Sequence, residues 1–171
     1  LLDTTELKFL DLSQLLARPN LWKTALWGTH RDDALIERLT NFPTLKEHSK
    51  QLGWKIREGF MAEFDGSDKN QANWLFGMPF VSTKNFVPYI VKTSSTVQEN
   101  VFHRPRSSEI FRAPLALIHH SNCQAAFSNV DVSFLNSISG INGKKEQEYL
   151  LKWLVCVVNS PLIRYFQFLT S

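Results

Sequence analysis

The chain has 171 residues, 43% of them hydrophobic and 20% charged, with a formal net charge of +3. That composition describes an ordinary globular chain able to bury its own core, so a disulfide scaffold is not required. Cys123 and Cys156 match no metal-ligand spacing, no run of 18 apolar residues exists to span a bilayer, and the amino terminus lacks a basic segment followed by an apolar one.

In chain order, the first third reads as largely helical. The pattern DDALIERL from Asp32 places Leu35, Ile36 and Leu39 at helical spacing. A further helix starts at Thr44, with Glu47 completing a capping box, and stops at Gly53. From Trp54 the pattern changes to short runs rich in aromatic and β-branched residues, broken by Gly, Pro, Asn and Ser: WKIREGF, LFGMPFVS, FVPYIVK, TVQENVF, LALIHH, QAAFS and VDVSFLNSISGI. These read as strands, and the polar stretch Asp65 to Asn73 reads as a loop. Glu146 to Asn159 then carries Leu150, Leu151, Leu154, Val157 and Val158 on one stripe, and Ser160-Pro161 opens a last helix. Helices, strands and helices in that order predict an α+β fold, with a mainly antiparallel twisted sheet of about six to eight strands and helices at both ends. The expected division is a helical leader over residues 1–52 and a core over 53–171. The start at Leu1 without methionine and the helical pattern running to Ser171 suggest a piece of a longer cytoplasmic protein.

Charge is unevenly placed. Between residues 81 and 130, Lys84, Lys92, Arg104, Arg106 and Arg112 face only Glu99 and Glu109, whereas acids and bases are nearly balanced elsewhere. A focused positive field attracts phosphate backbones. Its densest part is FHRPRSSEIFRAPLALIHH, Phe102 to His120. There Pro105 keeps Arg104 extended and splays Arg104 from Arg106, while Ser107 and Ser108 add hydroxyl donors. Arginine forks suit phosphate oxygens and the guanine edge, and serine or asparagine contacts position a backbone. The candidate DNA-binding residues are therefore Lys84, Lys92, His103, Arg104, Arg106, Ser107, Arg112, His119, His120 and Asn122. The alternative is a solvated hairpin with histidines at its tip.

Other chemistry finds less support. Gly140 and Gly143 in SGINGKK form no phosphate loop. His119, His120 and Cys123 lack a further cluster to complete a zinc site. Cys156 lies inside the apolar stripe KWLVCVV, where a packed thiol is expected. The run EFDGSDK, with Asp65 and Asp68, could serve a small metal-dependent enzyme but has the composition of a turn. Trp153, Tyr165 and Phe168 on the last helices could instead face a partner in a protein-interaction module.

Five blocks taken together resemble a known module. They are GWKIREGF (Gly53 to Phe60), GMPFVSTKNFVPY (Gly77 to Tyr89), FHRPRSSEIFRAPLALIHH, AAFSNVDVSFLNSISGI (Ala125 to Ile141) and LLKWLVCVVNSPLIRYFQFLTS (Leu150 to Ser171). In this order they resemble the carboxy-terminal target-recognition, or specificity, domain of bacterial N-6 adenine DNA methyltransferases and fused restriction-modification enzymes. The resemblance implies a unit that docks on double-stranded DNA and reads a short target. A separate catalytic domain of the same polypeptide would then use S-adenosylmethionine to methylate an extruded adenine. That family's Asn-Pro-Pro-aromatic tetrapeptide has no match here, because no Asn-Pro dipeptide occurs. The chain itself is expected to hold no cofactor and no catalytic residue. Recognition residues in such domains vary with the target, so the candidates above rest on charge and chemistry.

Overall fold

The computed structural model describes residues 9–18, 21–63, 68–93 and 95–170. In chain order the elements are α1 (Leu12–Ala17), α2 (Leu21–Trp27), α3 (His30–Thr40), α4 (Leu45–Leu52), β1 (Lys55–Glu58), β2 (Asn70–Gln71), β3 (Pro79–Val81), β4 (Tyr89–Ile90), β5 (Ser95–Thr96), β6 (Val101–Phe102), β7 (Leu115–His119), β8 (Gln124–Ser128), β9 (Ser133–Phe134), β10 (Ile138–Asn142), α5 (Glu148–Val158) and α6 (Pro161–Thr170). The chain is α+β. It forms two units, one of the residues up to Thr44 together with the α6 segment from Pro161, the other Leu45–Ser160. Thus α4 groups with the strands, and α6 groups with the amino-terminal helices rather than with the residues that precede it.

In the helical unit, local polar contacts fix where helices begin. Asp11 accepts from the Ser13 hydroxyl at 2.6 Å and from the Ser13 N–H at 2.7 Å at the start of α1, and these bonds, the hydroxyl first, hold its carboxyl below the usual range. The Asp32 carboxylate accepts from the Thr29 N–H at 2.7 Å and from its hydroxyl at 2.9 Å. These bonds lower the Asp32 pKa, and Asp32 also hydrogen-bonds the Tyr165 phenol, whose own pKa is raised first by burial and then by that carboxylate. The rings of Trp27 and Phe168 meet edge to face at 6.3 Å between centroids.

In the strand unit the expected single sheet is three sheets. The largest has the order β1-β10-β7-β8-β4, and the others are β5-β3-β9 and β2-β6. The reason lies in two runs that looked continuous. TVQENVF breaks into β5 and β6, and VDVSFLNSISGI breaks into β9 and β10, and the pieces join different sheets. Pairing is mainly antiparallel as expected, with β3 to β9 and β4 to β8 parallel. Strand β2 falls inside the stretch read as loop.

Alternation along β7 sets the layers. Leu115 and Leu117 enter a core with Phe60, Phe102, Phe111, Phe134 and Ile138. Ala116 and Ile118 face the opposite way, into a core with Trp54, Ile141, Leu151, Leu154 and Val155, where α5 covers the sheet. On the first face Phe134 lies so close that a Cβ at Gly140 would come within 2.4 Å of its ring, so only glycine fits opposite Leu117. Strand β8 is held to α5 by Asn159, which is buried just past the end of that helix. Its side-chain amide accepts from the Ala125 N–H at 2.9 Å and donates to the Ala125 carbonyl at 2.7 Å. The Phe127 carbonyl, two residues along, accepts from the Val91 N–H on the β4 side. The amide therefore continues the ladder where β4 stops.

Replacing Asn159 with alanine would leave both Ala125 groups buried and unpaired. The expected loss is about 2–4 kcal/mol of unfolding free energy, measured by urea denaturation of the chain. An unchanged midpoint would show that the clamp is dispensable.

Candidate nucleic-acid interface

Strand β1 is an outer strand of the five-stranded sheet, and its sequence Lys-Ile-Arg-Glu suits that place. Ile56 turns to the α5 side and packs there, while Lys55, Arg57 and Glu58 are exposed. Charged side chains on an open edge also discourage pairing with another strand. Beyond the strand, a Cβ at Gly59 would lie 2.0 Å from the Phe134 carbonyl oxygen, so glycine is needed for the chain to pass.

The arginine-rich segment runs along this same edge. The Met61 N–H donates to the Arg104 carbonyl at 2.9 Å, and the Arg104 N–H donates to the Met61 carbonyl at 3.1 Å. Arg104 thus has a fixed backbone and an exposed side chain. Arg106 sits at φ 68°, in the left-handed region. Its Nε donates to the Gly59 carbonyl at 3.3 Å and its Nη2 to the Glu58 carboxylate at 3.1 Å. Ser107 caps a short 3-10 turn, Ser108–Phe111, by accepting from the Glu109 N–H at 3.3 Å. That turn drives Ile110 and Phe111 into the core and brings Arg112 back to the surface. Lys55 pairs with Glu109, whose carboxyl is held below its usual range by the Lys55 hydrogen bond first, then by the Lys55 charge, with Arg112 adding to it.

Lys55 and Arg57 thus lie on β1, Arg104 and Arg106 are bonded to the residues just beyond it, and Arg112 follows the 3-10 turn whose Glu109 pairs with Lys55. Glu58 and Glu109 are the acids that bond to cations of this group. Duplex DNA carries a phosphate every ~3.4 Å per strand along its axis, and the four residues of β1 alone span ~10 Å, enough to meet several phosphates.

The other candidates are distributed elsewhere. Lys84 lies in the 3-10 turn Thr83–Asn85, and Lys92 follows β4, the opposite outer strand, four strand spacings or ~19 Å from β1. His119 was expected as a surface donor at the end of its strand, but it is buried. Its Nδ1 lies 3.2 Å from the Ser121 N–H, and its ring packs on Phe86 at 5.6 Å. The reason is parity: His119 shares the inward face of β7 with Leu115 and Leu117. His120 points the other way, with Nε2 2.8 Å from the Ser139 hydroxyl. Asn122 closes the β7–β8 turn by accepting from the Gln124 N–H at 3.2 Å and donating to the Gln124 side chain at 3.0 Å. His103 places Nδ1 3.4 Å from the Asp68 carbonyl. Asp65 lies outside the described residues, and among the described residues no three His, Cys, Asp or Glu side chains gather as metal ligands. Cys156, expected in the packed stripe of α5, is exposed.

Two members of the edge, Lys55 and Arg57, were missed by sequence reasoning. Their spacing of two places both on one side of a strand, but only the sheet order reveals that this strand is an edge. Arg106, read from the sequence as a donor splayed from Arg104 by Pro105, is folded back onto Glu58 and Gly59. No protein-family model matches the chain, and no curated protein sequence matches it significantly.

The Arg106–Glu58 contact, with side chains 25% and 53% exposed, is expected to be structural. A double-mutant cycle of Arg106→Ala and Glu58→Ala in thermal or urea unfolding should return a coupling of about 0.5–1 kcal/mol. A coupling of zero would leave Arg106 as available to a ligand as Arg104.

Proposed function

We propose that this chain is a duplex-DNA recognition module, of the kind that delivers a target adenine to a methyltransferase domain elsewhere in the same polypeptide. The observation that carries the reading is the β1 region, where Lys55 and Arg57 of the strand and Arg104 and Arg112 of the segment bonded to it are all exposed. Guanidinium forks on a fixed backbone suit both jobs that duplex recognition requires. Arg112, next to the core-anchored 3-10 turn, suits a phosphate, and Arg104, with its anchored main chain and exposed guanidinium, suits a base edge. In this reading S-adenosylmethionine belongs to the catalytic domain, and the chain supplies position and sequence preference.

A second reading, a protein-docking module, is favoured by Tyr149 and Trp153. They lie four residues apart on α5 and are 67% and 62% exposed. The two readings are compatible if the docked protein is the catalytic domain, because α5 and the β1 edge are different surfaces of the strand unit.

With about three to five phosphate contacts, log affinity for a duplex should fall against log salt with a slope of about −2.7 to −4.5. Arg112→Ala should reduce that slope by about one unit on every sequence. Arg104→Ala should cost about 1–3 kcal/mol on a preferred site and less on others. Lys92→Ala and Trp153→Ala should change neither quantity. Fluorescence titrations on two duplexes at two salt concentrations measure all four. A wild-type affinity independent of salt would end the DNA reading, and a slope set by Lys92 instead of Arg112 would move the interface to the other edge.

A further inference from the structure

The β1 edge holds its own anion. Glu109 stands in the 3-10 turn with its main chain fixed by the fold: its carbonyl accepts from the Asn142 side-chain amide at 2.9 Å and from the Arg112 N–H at 3.3 Å. Its side chain is 58% exposed and reaches Lys55, itself 58% exposed, with the Arg112 charge also acting on it. A carboxylate is thus bonded to one cation of the edge, Lys55, and feels the charge of a second, Arg112. Glu58 answers Arg106 on the same edge.

We infer that Glu109 is an internal phosphate surrogate, a carboxylate that occupies Lys55 and shields Arg112 in the free protein and must yield them when a DNA backbone docks. This rests on the DNA-recognition reading and adds a regulatory element to the same site. The physics favours exchange in one direction only for an extended polyanion. An exposed ion pair contributes little and is easily given up. A duplex gains from releasing its condensed counterions as several cations engage together, whereas an isolated anion has no such gain. The surrogate therefore sets a threshold against weak or short anionic ligands and lowers non-specific binding, so that more of the total affinity depends on contacts such as Arg104. Glu109 is a positioning and shielding residue in this scheme and touches no base.

The test is a titration of a 30-base-pair duplex of arbitrary sequence against five forms of the chain, wild type, the three single variants and one double variant, at several salt concentrations. Glu109→Gln should bind roughly two- to fivefold tighter at low salt and show a salt slope steeper by about one unit, because Lys55 becomes available without an internal counter-ion. Glu148→Gln makes the same change in net charge on α5, where Glu148 pairs with Lys152. It should alter affinity much less and leave the slope unchanged. In a Lys55→Gln background, Glu109→Gln should lose most of its gain. Matching circular dichroism and unfolding midpoints confirm that the variants are folded. Equal effects of Glu109→Gln and Glu148→Gln, or a gain that survives in the Lys55→Gln background, would reduce the effect to net charge and overturn the surrogate while leaving DNA recognition standing. A wild-type chain with no salt-dependent binding would instead overturn the DNA reading from which the surrogate follows.

Discussion

Burial of β7 on both faces is the constraint on which the strand unit depends. Leu115, Ala116 and Leu117 are fully buried in succession, which an antiparallel strand with one wet face does not allow. Both sides of the sheet must then be covered. Helix α5 covers one side, and a layer built from short strands and phenylalanines covers the other. Phe134 reaches the sheet because Gly140 has no side chain, and α5 is tied to β8 by the buried Asn159 amide. These contacts leave the middle of the sheet unavailable to a partner.

A sheet covered on both faces can offer a ligand only its edges and its end turns. The β1 edge is the one that carries arginine and lysine together, and it gains most of its cations from a segment nearly fifty residues later in the chain, as the 48-residue separation of Arg106 and Glu58 shows. That segment is not a free loop. It is bonded at Met61, Gly59, Glu58 and Lys55 in turn, so its cations are presented on a framework rather than on a mobile tip. Pre-organised donors lose less conformational freedom on binding, which favours discrimination between closely related sites.

Acids set the character of this edge as much as bases do. With Glu58 on Arg106 and Glu109 on Lys55, two cations are satisfied within the protein, while Arg104 and Arg112 keep exposed side chains. A strip composed only of bases would bind any polyanion, and partial internal neutralisation shifts the balance toward ligands that offer both charge and a matching base edge. The exposed Tyr149 and Trp153 on α5 give a different kind of surface, aromatic rather than charged.

The sequence by itself determined the elements whose signals are local. The helix over DDALIERL, the stop at Gly53 with φ 70°, strands at KIRE, LALIH and QAAFS, and the helix α5 are all where periodicity and capping place them, because each depends on neighbours within a few residues. The α+β class followed from their order. What only the tertiary structure decided is everything that depends on pairing partners distant in the chain. TVQENVF and VDVSFLNSISGI each divide between two sheets because their pieces find different partners: β5 pairs with β3 and β6 with β2, while β9 pairs with β3 and β10 with β1 and β7. His119 is buried and His120 is not, because the parity of β7 is set by which residues face Phe134. Lys55 and Arg57 count toward the candidate interface only because β1 is outermost in the sheet. Arg104 and Arg106, two residues apart with the same side chain, have different surroundings because Glu58 and Gly59 lie beside one guanidinium, a fact held in no stretch of sequence shorter than the fold.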